Sequence, residues 1–211
     1  MNESQQNSNS VYLSGTVVGE PIFSHQVFGE NFYESALRVN RLSEQADIIP
    51  ITVSDRLMSD YDLEAGTEIA VSGQFRSYNK LVEGRSKLML TVFVREIVEA
   101  EEGRNSNQIE LIGYICKDPV YRTTPFKREI ADILVAVNRA YNKSDYIPCI
   151  AWGRNARFAA GLPVGTKVVI SGRIQSREYQ KVLADGTTET RTAYEISVNR
   201  IAKGEDANGT V

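Results

Sequence analysis

Lys167, Arg173, Gln175, Arg177 and Tyr179 occupy odd positions of one segment in which Val168, Ile170 and Ile174 are apolar. Neighbouring side chains of a β-strand point to opposite faces, so the segment predicts a buried face and an outer face that is cationic and ends on a ring. In Tyr146 to Trp152 the same alternation sets Ile147, Cys149 and Ala151 on one side. Tyr146, Pro148, Ile150 and Trp152, the only tryptophan, fall on the other. Cationic side chains track phosphates while bases stack on rings, at roughly 1–3 kcal/mol per stacked base. A cationic strip beside exposed rings therefore suits single-stranded nucleic acid. Catalysis has less to draw on. His25 is the only histidine, Thr123 stands at the matching place 98 residues later, and no carboxylate pair or Gly-rich phosphate loop accompanies it. A Ser or Cys nucleophile would lack a base, so the chain reads as a non-enzyme with no catalytic residues, metal ligands or cofactor.

The elements that must carry these residues occur twice. Val39-Asn40-Arg41 returns as Val137-Asn138-Arg139, and at the same offset Gly15 returns as Gly113, Pro21 as Pro119 and Ile49-Pro50 as Ile147-Pro148. Ser72-Gly73 answers Ser171-Gly172, and Val94-Arg95-Glu96-Ile97 answers Val198-Asn199-Arg200-Ile201. Two similar domains of roughly 100 residues follow, each long enough for its own core. In the first, Val11–Val18, Phe32–Arg41, Asp47–Ser54, Thr67–Tyr78 and Lys87–Ile97 read as strands, separated by turn-forming clusters. A helix is predicted between the third and fourth strands, at Asp55–Tyr61 and at Arg154–Ala160, each followed by a turn at Gly66 or Gly165. Five strands with a helix after the third give an all-β fold class of two tandem oligonucleotide-binding (OB) barrels. The expected boundaries are a disordered tail over 1–9, a divergent acidic barrel over 10–98, a linker over 99–106, the nucleic-acid-binding barrel over 107–202 and a disordered tail over 203–211. Pro50 and Pro148 mark a bulge or edge in the third strand. Asp185-Gly186 reads as a turn in a long loop. Because Val-Asn-Arg occurs in both copies, it reads as structural.

Charge divides the copies. Residues 1–104 carry 9 Lys and Arg against 16 Asp and Glu, whereas residues 105–211 carry 15 against 11. Only the second half is suited to a polyanion. No apolar run approaches the ~20 residues of a membrane span, and the polar start lacks the segments of a signal peptide, which together predict a cytoplasmic protein without membrane contact. Cys116 and Cys149 show no metal-ligand spacing and read as buried reduced thiols.

Comparing the copies sharpens the candidate site. Where the second has Tyr146, Trp152, Lys167 and Arg173, the first has Ile48, Ser54, Glu68 and Gln74, leaving Arg76 and Tyr78, with Phe75 as a further candidate, on its outer face. The proposed core stays apolar, with Ile49, Ile51 and Val53 answering Ile147, Cys149 and Ala151. Arg76 and Tyr78 are thus a weak site and the second copy a stronger one.

The second copy, through Lys117-Asp118-Pro119, Val120-Tyr121-Arg122-Thr123-Thr124, Val137-Asn138-Arg139, Ile150-Ala151-Trp152-Gly153-Arg154 and Ser171-Gly172-Arg173-Ile174-Gln175-Ser176-Arg177-Glu178-Tyr179, resembles the bacterial single-stranded DNA-binding protein family. The first copy resembles it more faintly. The resemblance implies stacking residues at Tyr146, Trp152 and Tyr179, with Tyr141 a weaker candidate, and phosphate contacts at Arg122, Arg173 and Arg177. Lys167 joins these cations by strand alternation. The implied partner is single-stranded DNA, bound with little sequence preference, although stacking and backbone contacts serve RNA equally. A homodimer with four OB folds and contacts to replication or recombination proteins are also implied. The chain ends in Glu205-Asp206-Ala207-Asn208-Gly209-Thr210-Val211 where the family usually has an acidic tip closed by an aromatic residue. That departure suggests a specialised relative. The rival reading is an interaction scaffold of a primosome or mobile-element complex, with the acidic barrel docking a partner enzyme.

Overall fold

The computed structural model describes residues 8–61, 63–82, 84–100, 105–183 and 186–205. The first copy comprises β1 (Asn9–Val17), β2 (Ile22–Val27), β3 (Glu30–Asn40), β4 (Ala46–Ser54), α1 (Asp55–Met58), β5 (Glu68–Val82) and β6 (Arg85–Glu99). The second repeats it as β7 (Asn107–Ile115), β8 (Val120–Thr123), β9 (Glu129–Arg139), β10 (Lys143–Trp152), α2 (Arg154–Ala160), β11 (Lys167–Val182) and β12 (Thr188–Lys203). The chain forms the two expected all-β barrels, each with its helix in the expected place.

Three details differ from expectation. Each copy has a sixth strand, β2 or β8, whose side chains are almost all exposed, so no apolar alternation marks it. Backbone pairing to β3 or β9 holds it in place. The first helix closes a single turn, Ser59 N–H donating to Asp55 O, and ends before Tyr61. The prolines cause no bulge: Pro50 pairs in register with Ala36 and Pro148 with Leu134. Each precedes a two-residue parallel contact, Ile51 and Thr52 with β6 or Cys149 and Ile150 with β12, so its missing N–H lies where that ladder has not begun. The predicted tail residues 1–7 and 206–211, linker residues 101–104 and Asp185 lie outside the described residues.

Strand order is β2-β3-β4-β6-β5-β1-β7-β11-β12-β10-β9-β8, which reads the same from either end once the copies are exchanged. Its centre is the antiparallel pairing of β1 with β7, from Asn9 opposite Leu111 to Leu13 opposite Asn107. Additional pairing of β1 with β3 and of β7 with β9 closes each barrel. Asn9, assigned from composition to the tail, is a buried residue of β1 that brackets Phe75, donating to its carbonyl at 2.7 Å and accepting its N–H at 2.9 Å. Asn107 brackets Ile174 in the same way. The junction thus has approximate twofold symmetry.

Each core is built from the alternating residues that the sequence singled out. Ile49, Ile51 and Phe75 in the first copy and Ile147, Ile170 and Ile174 in the second are fully buried, at about 1.5–3 kcal/mol for each such side chain. Cys149 belongs to this core, and burial pushes its thiol pKa far up. Cys116 is only partly buried, its Sγ donating to Leu134 O. Because the thiolate is the reactive form, a thiol reagent at about pH 8 should modify native Cys116 slowly and Cys149 only after unfolding. Equal labelling rates in native buffer would refute the placement of Cys149.

Candidate nucleic-acid interface

Cross-strand partners in register share a face of the sheet, so the pairings define the outer surface of the second barrel. Arg122 lies opposite Ile130, and Ile130 opposite Trp152. Ile150 is opposite Ser197, which faces Arg173, and next along β11 come Gln175 opposite Glu195 and Tyr179 opposite Arg191. Trp152, Arg173 and Arg177 are brought together in an open groove of about 1020 Å³, which also takes in Arg128, Tyr194 and, from the first barrel, Arg41 and Ile48. Trp152 is 38% exposed, enough to present a ring while its body packs on the sheet. Ile150, which alternation put on this face, is nevertheless buried.

The other predicted residues do not all join this groove. Tyr179 has the Arg177 guanidinium 5.8 Å from its ring centroid and lines a second groove, between the barrels, with Arg191 and Pro50. Tyr146 stands at the barrel junction, its N–H donating to Ser77 Oγ at 2.8 Å. Tyr141 lies in the β9–β10 turn with a positive φ and its ring in solvent. Arg122 forms a two-pronged pair with Asp132, partly exposed on both sides, which a phosphate could replace at small cost. Lys167 is at the opposite end of β11, its Nζ donating to Glu205 O.

Arg173 is the most constrained of the cations. It donates to Asp47 of the first barrel at 2.9 Å, and Asp47 also takes both Nε and Nη2 of Arg41 and the N–H of Ser176. The two arginines respond differently: hydrogen bonding to Asp47 raises the pKa of Arg41, whereas burial, followed by the Arg41 charge, lowers that of Arg173. Arg41 donates two bonds to the shared carboxylate and Arg173 one, leaving the latter guanidinium less fully compensated.

The first barrel carries more than the sequence comparison left it. Phe75 belongs to the core, but Phe93, at the place of Ser197, is half-buried on the outer face, its ring centroid 5.5 Å from that of the buried Phe32. His25 stacks on Phe32 at 5.1 Å, and the Arg76 guanidinium lies 3.9 Å from the Phe93 centroid. Burial, then the neighbouring Arg139 and Arg95, lowers the Arg76 pKa to about 10, still charged at neutral pH. Tyr78 donates to Glu34 at 3.2 Å, and burial with that carboxylate pushes its pKa up to about 12. His25, Glu34, Arg76, Tyr78 and Phe93 line a groove of about 410 Å³ that includes Arg139 of the second barrel. Phe93 escaped the sequence comparison because that comparison followed only the third and fourth predicted strands. Arg128 escaped because it lies off the alternating segments, and Arg41 because its motif, present in both copies, reads as structural.

Among the described residues no His, Cys, Asp and Glu group is placed to hold a metal, and no helix is long and apolar enough to cross a membrane. A model of the single-strand binding protein family matches residues 106–203. Single-stranded DNA-binding protein B of Bacillus subtilis is 36% identical over 81 residues, which are 35% of this chain and 72% of that protein. Single-stranded DNA-binding protein 2 of Listeria innocua is 36% identical over 81 residues, covering 35% of this chain and 51% of its own length. The chain spans about half the length of most curated relatives it matches. The wild-type single-stranded DNA binding protein of Thermus aquaticus superposes over 96% of both chains with a TM-score of 0.77 and 20% identity, a likeness of fold that extends across both barrels. By the match of its second barrel, the chain belongs to the single-strand binding protein family.

Proposed function

We propose that the chain binds single-stranded DNA with little sequence preference, mainly through the groove of the second barrel. The observation that carries this is the grouping of Trp152 with Arg173, Arg177 and Arg128 in one open groove. Rings without a matched base edge accept any base, and guanidinium groups beside them neutralise the phosphates. Arg122 extends the cationic row at one edge, and Tyr179 stands beside Arg177 as a further stacking surface. Tyr146, Tyr141 and Lys167 are assigned a peripheral part because they lie outside this groove. The barrels over 10–98 and 107–202 act as the binding units, in a homodimer of four folds that serves DNA replication, repair or recombination.

The first barrel is not a purely acidic docking module: Arg76 and Phe93 give its groove the same chemistry on a smaller scale, which weighs against the scaffold reading. Titration of the full chain with oligo(dT) should quench Trp152 fluorescence, and affinity should fall as salt rises. Trp152→Ala, followed by the anisotropy of a labelled oligonucleotide, should weaken binding by about 1–3 kcal/mol. Ser54→Ala, at the matching place in the first barrel, should leave it unchanged. Equal losses in both variants would refute the assignment.

A further inference from the structure

The repeated Val-Asn-Arg reads from sequence as purely structural, yet its arginines cross the barrel junction. Arg41 leaves the end of β3 to line the groove of the second barrel, with Nη2 3.4 Å from Ser176 O. Arg139, at the end of β9, lines the groove of the first. Each groove therefore contains a guanidinium supplied by the opposite barrel.

The local charge does not balance. Arg41 and Arg173 share one buried carboxylate, Asp47. Arg139 and Arg76 neighbour one buried carboxylate, Asp145, whose recorded ion pair is the 3.4 Å contact with Arg139. Arg76 Nε is buried without a hydrogen-bond partner, and Arg95 adds a further positive charge nearby. Two cations to one carboxylate leave a surplus positive charge at each junction. Arg41 and Arg139 remain 25% and 29% exposed, so both are within reach of a ligand in the groove. A groove wall with rings and surplus positive charge is completed by a phosphodiester.

We propose that Arg41 and Arg139 are phosphate-contacting residues of the opposite barrel's groove, so that a strand bound to either barrel is gripped by cations from both. The proposal rests on the single-strand binding reading above. It makes the β1–β7 junction part of the binding site, because separating the barrels would remove one cation from each groove.

The test uses the full chain and labelled oligo(dT) of about 30 nucleotides, enough to reach both grooves at roughly 4–16 nucleotides per fold. Arg41→Gln and Arg139→Gln should each weaken binding roughly threefold to tenfold and make the plot of log affinity against log salt shallower by about 0.7, the value of one single-strand phosphate contact. Arg41→Lys and Arg139→Lys, which keep the charge but not the planar guanidinium, should retain the slope. Arg56→Gln, on an exposed arginine outside both grooves, should change nothing. Thermal melting of every variant checks folding. Glutamine variants that melt earlier yet keep wild-type slope and affinity would overturn the proposal and leave these arginines as junction ion pairs only. Absence of salt-dependent binding by the wild-type chain would instead overturn the single-strand reading itself.

Discussion

Asp47→Ala is expected to lower the unfolding free energy by about 3–5 kcal/mol, the range for removing one partner of a buried ion pair. The Asp47 side chain is 1% exposed and holds Arg41 at 2.5 and 2.8 Å, Arg173 at 2.9 Å and the Ser176 N–H at 2.8 Å. Alanine would strand two guanidinium groups and a backbone donor at once, and the unsatisfied groups account for most of the loss. Asp145→Ala is the internal comparison. Asp145 is equally buried and accepts the Ser77 N–H at 2.8 Å, but its arginine is 3.4 Å away, so the expected loss is about 1–3 kcal/mol. Urea unfolding of both variants checks the order. An Asp47→Ala loss no larger than that of Asp145→Ala would mean that the shared carboxylate does not clamp the junction. Because Asp47 also fixes Arg173 beside the groove of the second barrel, Asp47→Ala should weaken oligo(dT) binding in conditions where the variant remains folded.

Gly113→Val should be at least as damaging, at about 3 kcal/mol or more. Gly113 lies where β7 leaves its pairing with β11 and turns to pair with β9, closing the barrel. A Cβ there would collide with the backbone oxygen of Ala136 and lie 2.6 Å from Val135 Cγ1. The first obstacle is backbone in a sheet, so no rotamer change relieves it. Gly15 meets Arg38 O in the first barrel, and Gly73 and Gly172 meet Phe93 O and Ser197 O at the bulges opposite β6 and β12. Gly161→Ala is the contrasting case: the nearest atom to its Cβ is 3.7 Å away and its φ of -90° suits any residue. It should stay within about 0.5 kcal/mol of the parent. Comparable melting temperatures for Gly113→Ala and Gly161→Ala would refute the close-approach account.

These glycines show how far the sequence carried. Their recurrence at matching positions exposed the duplication, and the structure supplies the cause: each copy must bend a strand across another backbone to close. The residues of the predicted core were equally legible, since burial of alternate side chains leaves a period of two in the sequence. Strands β2 and β8 were not, because an exposed edge held by backbone bonds carries no such period. In the site, Trp152, Arg173 and Arg177 follow from alternation on separate strands, and the structure brings them into one groove.

The sequence by itself determined the tandem OB fold, the inner and outer faces of each barrel and the family of the second, because these depend on local alternation and ordered motifs. Only the tertiary structure decided which cations have partners. Asp47 meets Arg173 across 126 residues, and Arg41 and Arg139 reach grooves lined mainly by the opposite barrel. Such contacts depend on the β1–β7 pairing and the twofold relation it creates, and neither leaves a periodic trace along the chain.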